Sequence, residues 1–478
     1  MQRYIRRVRI EGMFGNEAEM VVDFNPHDNC IYGVNGSGKT VLINLIVAAL
    51  QVDISVLLSL PFKSLKVITA PIGGRKEISF INLVRDGETI TYLFSEKLQV
   101  KSDSESRLGL SSALLNVIEK DKPYKFSVRH TRDESWARTM SLRLAIKKVV
   151  SLTYVPLLRI HDLNGRSDEV LIYELRRQRM SEKEISELLD PNMRVLKKLQ
   201  QEFSERYTAA QSQIAAELES LKSTIFEKLL FQNNSSKDDA VSYVQKILET
   251  RDTDTGQDAE NVIKHIKDLN LNVSEQMVRE HFQIWARAKE NLLSSHDAWQ
   301  LAQNKKGSKK SFAESEYKAY SQSYFNLVAS VRQFRKFEEV IQLINDMQNK
   351  KSLLLSKFYR FKSEINEFLS HGKSISFNEA GLFKVDKDGV ELDLQNLSSG
   401  EKHLLVILGR VCLSSFVGST VFIADEPELS LHLEWQREIL PAISRLSPDT
   451  QVIVATHSPA IISGKARKIN LRTCYKNG

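Results

Sequence analysis

Residues 33 to 40, Gly33-Val34-Asn35-Gly36-Ser37-Gly38-Lys39-Thr40, carry the spacing G-x-x-x-x-G-K-[ST]. Glycines at these positions let backbone N–H groups curl around phosphate oxygens. Lys39 places a point charge against the β- and γ-oxygens, and the Thr40 hydroxyl can take a Mg²⁺ coordination position. The candidate phosphate-binding set is therefore Gly33, Asn35, Gly36, Ser37, Gly38, Lys39 and Thr40. A second run, Val421-Phe422-Ile423-Ala424-Asp425-Glu426-Pro427, reads as a buried strand ending in two carboxylates. Asp425 is suited to hold Mg²⁺, directly or through water, and Glu426 to polarise the attacking water. The chemistry expected is hydrolysis of a nucleoside triphosphate, with ATP and Mg²⁺ as the cofactors.

These residues need a strand, a loop and a helix in that order. Cys30-Ile31-Tyr32 supplies the strand, fed by β-like segments at Ile5, Val8, Ile10 and at Val21, Val22, Phe24. Leu42, Ile43, Leu45, Ile46, Ala49 and Leu50 recur at helical spacing, so one helix is expected from Thr40 to Leu60. Strand-like pieces at Leu65–Ile68, Ile78–Phe80, Ile90–Phe94 and Thr153–Pro156 complete an N-terminal lobe, taken as 1–180. Leu196, Leu199, Phe203, Tyr207, Ala210, Ile214, Leu218, Leu221, Ile225 and Leu229 then form one long amphipathic stripe. Its gaps of three, four and four favour straight packing over a strict heptad coil. A returning stripe runs from Val340 to Phe368, with the basic run Lys305-Lys306-Gly307-Ser308-Lys309-Lys310 between the two. The expectation is a helical insertion over 181–370, a bundle or short coiled coil. β character resumes at Ile375–Phe377, Leu382–Val385 and Val390–Leu392 and opens a C-terminal lobe, 371–478. The fold class expected is α/β, a P-loop head split by helices.

Leu397-Ser398-Ser399-Gly400-Glu401-Lys402, followed by a helical run, stands shortly before the acidic strand. Thr456-His457-Ser458 follows the apolar strand Gln451–Ala455. In this order the motifs resemble those of ABC ATPases, with Ser399 and Glu401 where many transporters have Gly and Gln. The resemblance implies that Ser398, Ser399 and Gly400 form a signature facing a γ-phosphate across a dimer. It implies a switch role for His457, which joins Glu426 as a catalytic candidate. Glu428-Leu429-Ser430-Leu431-His432 occupies the D-loop position, with His432 either a partner contact or a packed structural residue. No glutamine can be assigned to the Q-loop.

The chain is similar to the SMC, RecF and OLD group more than to transporter subunits. Ile10–Gly15, Leu397–His403 and Asp425–His432 look most like the stand-alone ATPases of bacterial anti-phage systems, the PtuA type of Septu defence. That resemblance implies a separately encoded HNH nuclease of PtuB type as partner. It fits a chain in which no His-Asn-His cluster or Toprim-like acidic domain is found. One P-loop and one signature per chain imply a homodimer or higher homo-oligomer. The alternatives are a RecF-like repair ATPase that binds DNA, an ATP sensor with little turnover, and a transporter subunit.

Net charge is +7 and 27% of residues are charged, a globular balance that permits a DNA-binding patch without making the molecule a polycation. Cys30, Cys412 and Cys474 form no C-x-x-C pair and suit a reducing compartment. Arg3, Arg6, Arg7 and Arg9 interrupt any signal-peptide core, and no apolar run reaches the roughly 20 residues of a membrane helix. The expectation is a cytoplasmic protein with no membrane span.

Overall fold

The computed structural model describes residues 3–74, 77–94, 125–129, 135–155, 177, 190–230, 237–251, 256–304, 310–370, 372–418, 421–462 and 464–476. Of the basic run at 305–310, only Lys310 lies among them. The chain forms two compact units, one of residues 1–206 with 357–478 and one of residues 207–356.

The first unit is α/β and holds its strands in separate sheets. Strands β1 (Arg3–Glu11), β2 (Glu19–Asp23), β4 (Ser64–Pro71), β5 (Ile78–Asp86), β6 (Thr89–Leu93), β7 (Lys125–Arg129) and β15 (Tyr475–Lys476) form an antiparallel sheet in the order β15-β2-β1-β4-β5-β6-β7. Strands β3 (Asp28–Tyr32), β8 (Leu152–Val155), β12 (Val421–Asp425), β13 (Gln451–Ala455) and β14 (Arg467–Asn470) form a parallel sheet in the order β14-β3-β13-β12-β8. A small third sheet pairs β9 (Lys373–Phe377), β10 (Phe383–Lys387) and β11 (Val390–Leu392). β12 and β13 are buried along their whole length, as parallel strands covered on both faces must be. The sequence suggested that the first strands form one meander into the glycine turn. Instead β2 stays with β1, while β3 crosses to pair with β13 and β14.

Helix α1 (Lys39–Gln51) joins the two large sheets. It is apolar on nearly every side, with Leu42, Ile43, Leu45, Ile46 and Ala49 buried, as befits a central helix. The Tyr92 hydroxyl from β6 donates to Ala49 O, and the Tyr154 hydroxyl from β8 donates to Asn44. The helix expected to reach Leu60 breaks at Val52, whose φ of 56° is left-handed. Asp53 then caps α2 (Ile54–Ser59) by accepting from Val56 N. Beside a bulge in β1, Gln451 takes both the N–H and the C=O of Ile5, tying β13 to the antiparallel sheet.

The N-terminal lobe adds α3 (Ser135–Val149), and between the lobes in the sequence run α4 (Pro191–Leu230), α5 (Lys237–Thr250), α6 (Gly256–Asp268), α7 (Glu275–Asn304) and α8 (Lys310–Phe368). The two expected stripes lie on α4 and α8, and α5, α6 and α7 fall where no separate helices were expected. The roots of the long helices, up to Arg206 in α4 and from Lys357 in α8, belong to the first unit. The second unit has its own core around Val244, Trp285, Leu292, Leu327, Val331 and Phe334. The C-terminal lobe adds α9 (Ser399–Val417), α10 (Leu433–Leu446) and α11 (Pro459–Ile462).

Candidate functional site

The parallel sheet sets three chain ends side by side. β3 releases the loop 33–38, β12 ends at Asp425, and β13, which lies between them, ends just before Thr456 and His457. Gly36 and Gly38 have φ of 78° and 92°, so only residues tolerant of left-handed backbone can form this curl. Lys39 is buried and folds back onto its own loop, donating to Gly33 O at 3.1 Å. Burial lowers its pKa, and the charges of Glu426, Asp425 and Glu428 oppose that change.

His457 bridges the loop and the acids. Its Nδ1 lies 3.4 Å from Lys39 Nζ and its Nε2 lies 3.4 Å from Glu426 Oε1. Lys39 has only protons to give, so Nδ1 accepts, and a neutral ring then carries its proton on Nε2 toward Glu426; the network assigns this tautomer. Glu426 itself has φ of 47°, a left-handed geometry held by its N–H on Ala455 O at 2.8 Å.

Asp425 is buried, and among the described residues neither carboxylate oxygen has a hydrogen-bond partner. Burial pushes its pKa up, Glu426 and Glu428 add to that, and Thr40 and Lys39 counter it. The Thr40 hydroxyl exerts this effect from nearby without a directed hydrogen bond. An acid left unpaired in this way suits a hard cation, and Mg²⁺ fits the oxygen donors present. Asp425 and Thr40 would hold it, and the ion would supply charge neutralisation for the phosphates. Among the described residues no three His, Cys, Asp or Glu side chains converge to hold an ion alone.

Two residues escaped the reading from sequence. Glu428, placed there at the D-loop position, turns inward: its Oε1 accepts from the Thr456 hydroxyl, from His457 N at 2.7 Å and from Ser458 N at 3.1 Å. It thus fixes the loop that carries His457. The hydroxyls flanking His457 were the available signal, since they call for a buried acceptor. The other is Phe14, at φ 55° and 53% exposed, whose ring lies so close to Gly38 that a Cβ there would meet Phe14 Cε2 at 2.8 Å. It offers an aromatic face beside the phosphate loop.

The signature residues lie elsewhere. Ser398 caps α9 in a full capping box: Glu401 N donates to its Oγ at 3.2 Å, and its own N–H donates to Glu401 Oε2 at 2.8 Å. Burial alone would raise the Glu401 carboxyl, but Lys373 at 2.7 Å and the Ser398 hydrogen bonds hold it below the usual range. Gly400 is packed so tightly that a Cβ would meet Ser430 O at 2.5 Å, locking the helix start to the 428–432 turn. Ser398 and Ser399 are exposed. Among the described residues no hydrogen bond or ion pair joins Ser398, Ser399 or Gly400 to the phosphate loop of the same chain. His432 is exposed, not packed, and makes an edge contact with Trp435.

The family model described as AAA ATPase domain matches residues 4–462. The chain belongs to this ATPase family. Two curated relatives are the Retron Ec83 probable ATPase of Escherichia coli, 27% identical over 157 residues, and the Retron Vc95 probable ATPase of Vibrio cholerae serotype O1 biovar El Tor, 28% identical over 160. The first match covers 28% of this ATPase and 29% of the relative, the second 26% and 31%, so less than a third of either relative is spanned. Among solved structures, similarity extends to the Smc head domain with an extended coiled coil bound to the C-terminal domain of ScpA, derived from Pyrococcus furiosus. That match has a TM-score of 0.38 and 13% identity, covering 97% of this chain and 92% of that one. The Smc head domain with a coiled coil and joint from Pyrococcus yayanosii gives 0.35 and 14%, covering 97% and 93%. Among the described residues, no helix is long and apolar enough to cross a membrane.

Proposed function

We propose that this ATPase is a nucleotide-driven switch in which two copies close head to head around ATP. Each copy supplies Lys39, Thr40, Asp425, Glu426 and His457 to one nucleotide and Ser398 to the nucleotide of its partner. The observation that carries this reading is that among the described residues no hydrogen bond or ion pair joins Ser398, Ser399 or Gly400 to the phosphate loop of the same chain, while Ser398, Ser399 and residues 34–36 are exposed. Exposed apolar side chains support it, namely Val34 on the phosphate loop, Phe14 beside it, Leu429 on the 428–432 turn and Leu433 at the start of α10. In the reaction Glu426 orients and deprotonates water, Lys39 neutralises the developing phosphate charge, and His457 senses the occupied state through both.

The output passes to the helical insertion and from it to a separately encoded effector, an HNH nuclease, in anti-phage defence of Septu type. The retron names of the relatives favour a defence role. The roots of the insertion favour the route, because both grip the signature helix. From α4, Glu202 pairs with Arg410, both carboxylate oxygens at 2.9 Å, and Asp190 at its start pairs with Lys402. From α8, Lys357 donates to Ser415 O at 2.6 Å.

The test is the mass in solution of Glu426→Gln with and without ATP. A doubling on ATP that Lys39→Ala abolishes is expected. A Glu426→Gln chain that stays monomeric with ATP bound would sink the dimer reading, and failure of a co-expressed neighbouring nuclease to co-purify would sink the effector.

A further inference from the structure

The second unit holds a half-open cavity of about 630 Å³ between α6, α7 and α8, within the range that holds small ligands. One wall is aromatic. Trp285 and Phe334 meet with ring centroids 3.9 Å apart, and His281 and Phe337 with centroids 3.7 Å apart. Beside this wall is Lys289, one helical turn after Trp285, with its Nζ 5.0 Å from the Trp285 ring centroid. Lys289 is only 8% exposed and lines the cavity, yet among the described residues it has no hydrogen bond and no carboxylate partner. Its stem is buried against the Trp285 ring, and its ammonium faces the cavity free to pair with an anion.

The remaining lining is polar and directional. Asn261, Gln342 and Asn345 line the cavity; Gln342 Nε2 donates to Asp346 Oδ1 at 3.0 Å, and Asn345 Oδ1 is held 2.7 Å from His265 Nδ1, which leaves the Asn261 and Asn345 amide groups as the polar readers. Glu338 also lines it but is committed to the Tyr243 hydroxyl at 2.6 Å, and its charge leaves the Lys289 side as the place for an anion. A stacking wall, amides beside it and one cation without a carboxylate partner are the elements of nucleotide recognition outside a phosphate loop.

We propose that this cavity binds a 5′-nucleotide, free or as one unstacked unit of a single strand, with its base on the aromatic wall and its phosphate on Lys289. The inference does not depend on the switch proposed for the head. It is tested by calorimetric titration of the full chain carrying Lys39→Ala, which removes the phosphate-loop lysine, with AMP, GMP, CMP, dTMP, thymidine and an oligothymidylate. Saturable binding of a mononucleotide is expected, weakened about tenfold by Lys289→Met and restored by Lys289→Arg. Thymidine, which lacks the phosphate, should bind weakly to the parent and with no further loss in Lys289→Met. Binding of the oligonucleotide alone would assign the strand as the source. The half-buried Phe337, changed to Leu, gives a second reading should Lys289→Met not fold. Absence of binding by every probe, or binding indifferent to both Lys289→Met and Phe337→Leu, would overturn the proposal.

Discussion

The phosphate-loop side of the head and its signature side treat their buried polar atoms differently. On the first, Ser37 Oγ, both Asp425 oxygens and Glu428 Oε2 are buried without partners, and Gly36, Gly38 and Glu426 hold left-handed backbone. On the second, Glu401 is saturated by Ser398 and Lys373, and the helix it caps ends cleanly at Gly418. Unsatisfied atoms beside strained backbone mark a place that a ligand completes, whereas a saturated cap is a surface finished in advance. This is the contrast that the proposed switch requires of its two half-sites.

The strongest way to break this contrast is to remove Glu426, the group proposed to act on water. Glu426→Gln should retain ATP binding while turnover falls by at least about a hundredfold, the scale of general-base loss. Unchanged turnover would transfer that role to another residue. Glu428→Ala comes next. It leaves the Thr456 hydroxyl and two backbone N–H groups without their acceptor, which costs about 1–3 kcal/mol. Because the freed loop carries His457, turnover should fall about tenfold or more with nucleotide affinity little changed. Glu428→Gln keeps an acceptor oxygen and should recover most of the loss. A loss shared equally between binding and turnover would make Glu428 merely structural.

The chemistry was legible in the sequence where it demands fixed residue types at fixed spacing. Gly33 to Thr40 and Asp425-Glu426 stand on the strand ends their patterns required. The direction of Glu428 was not legible, because it depends on the left-handed turn at Glu426, and local sequence gives no reason for a glutamate there. The split between sheets was equally hidden. β3 follows β2 by a few residues yet finds its partners more than four hundred residues away, a choice made by long-range packing. Val52 shows the same override, since a β-branched residue disfavours the left-handed backbone that ends α1. In the insertion the long stripes of α4 and α8 were readable, while α5, α6 and α7 were not told apart by their apolar spacing.

Acid sharpens the comparison on the signature side, where His403 is the exception to saturation. Its Nε2 is buried without a partner, and burial lowers its pKa to about 4 despite a hydrogen bond to the Pro427 backbone. The unfolded chain takes up this proton near pH 6.5 and the folded chain only near 4, so stability is lost as pH falls between those values. From pH 7 to pH 5 the loss is about 2 kcal/mol from this residue alone. Denaturant unfolding of the head should show it, and His403→Gln should flatten the slope over that range. An unchanged slope would mean that other groups set the acid limb.

The smallest expected effect separates the two roles that Ser398 combines. As the cap of α9 it contributes about 1 kcal/mol, so Ser398→Ala should lower the unfolding midpoint slightly. Ser398→Asp keeps a capping oxygen but sets a carboxylate where the serine hydroxyl donates to Glu401 Oε2 at 2.9 Å, so its stability should lie no higher than that of Ser398→Ala. It also sets a negative charge at the helix start, where the partner's γ-phosphate would sit, so ATP-dependent association and turnover should fail in a chain that is still well folded. Addition of a catalytically dead Lys39→Ala chain with an intact Ser398 should restore part of the turnover if, as proposed, each site draws its two halves from different copies. Full activity in Ser398→Asp would reduce the signature to a helix cap and leave the nucleotide to a single chain.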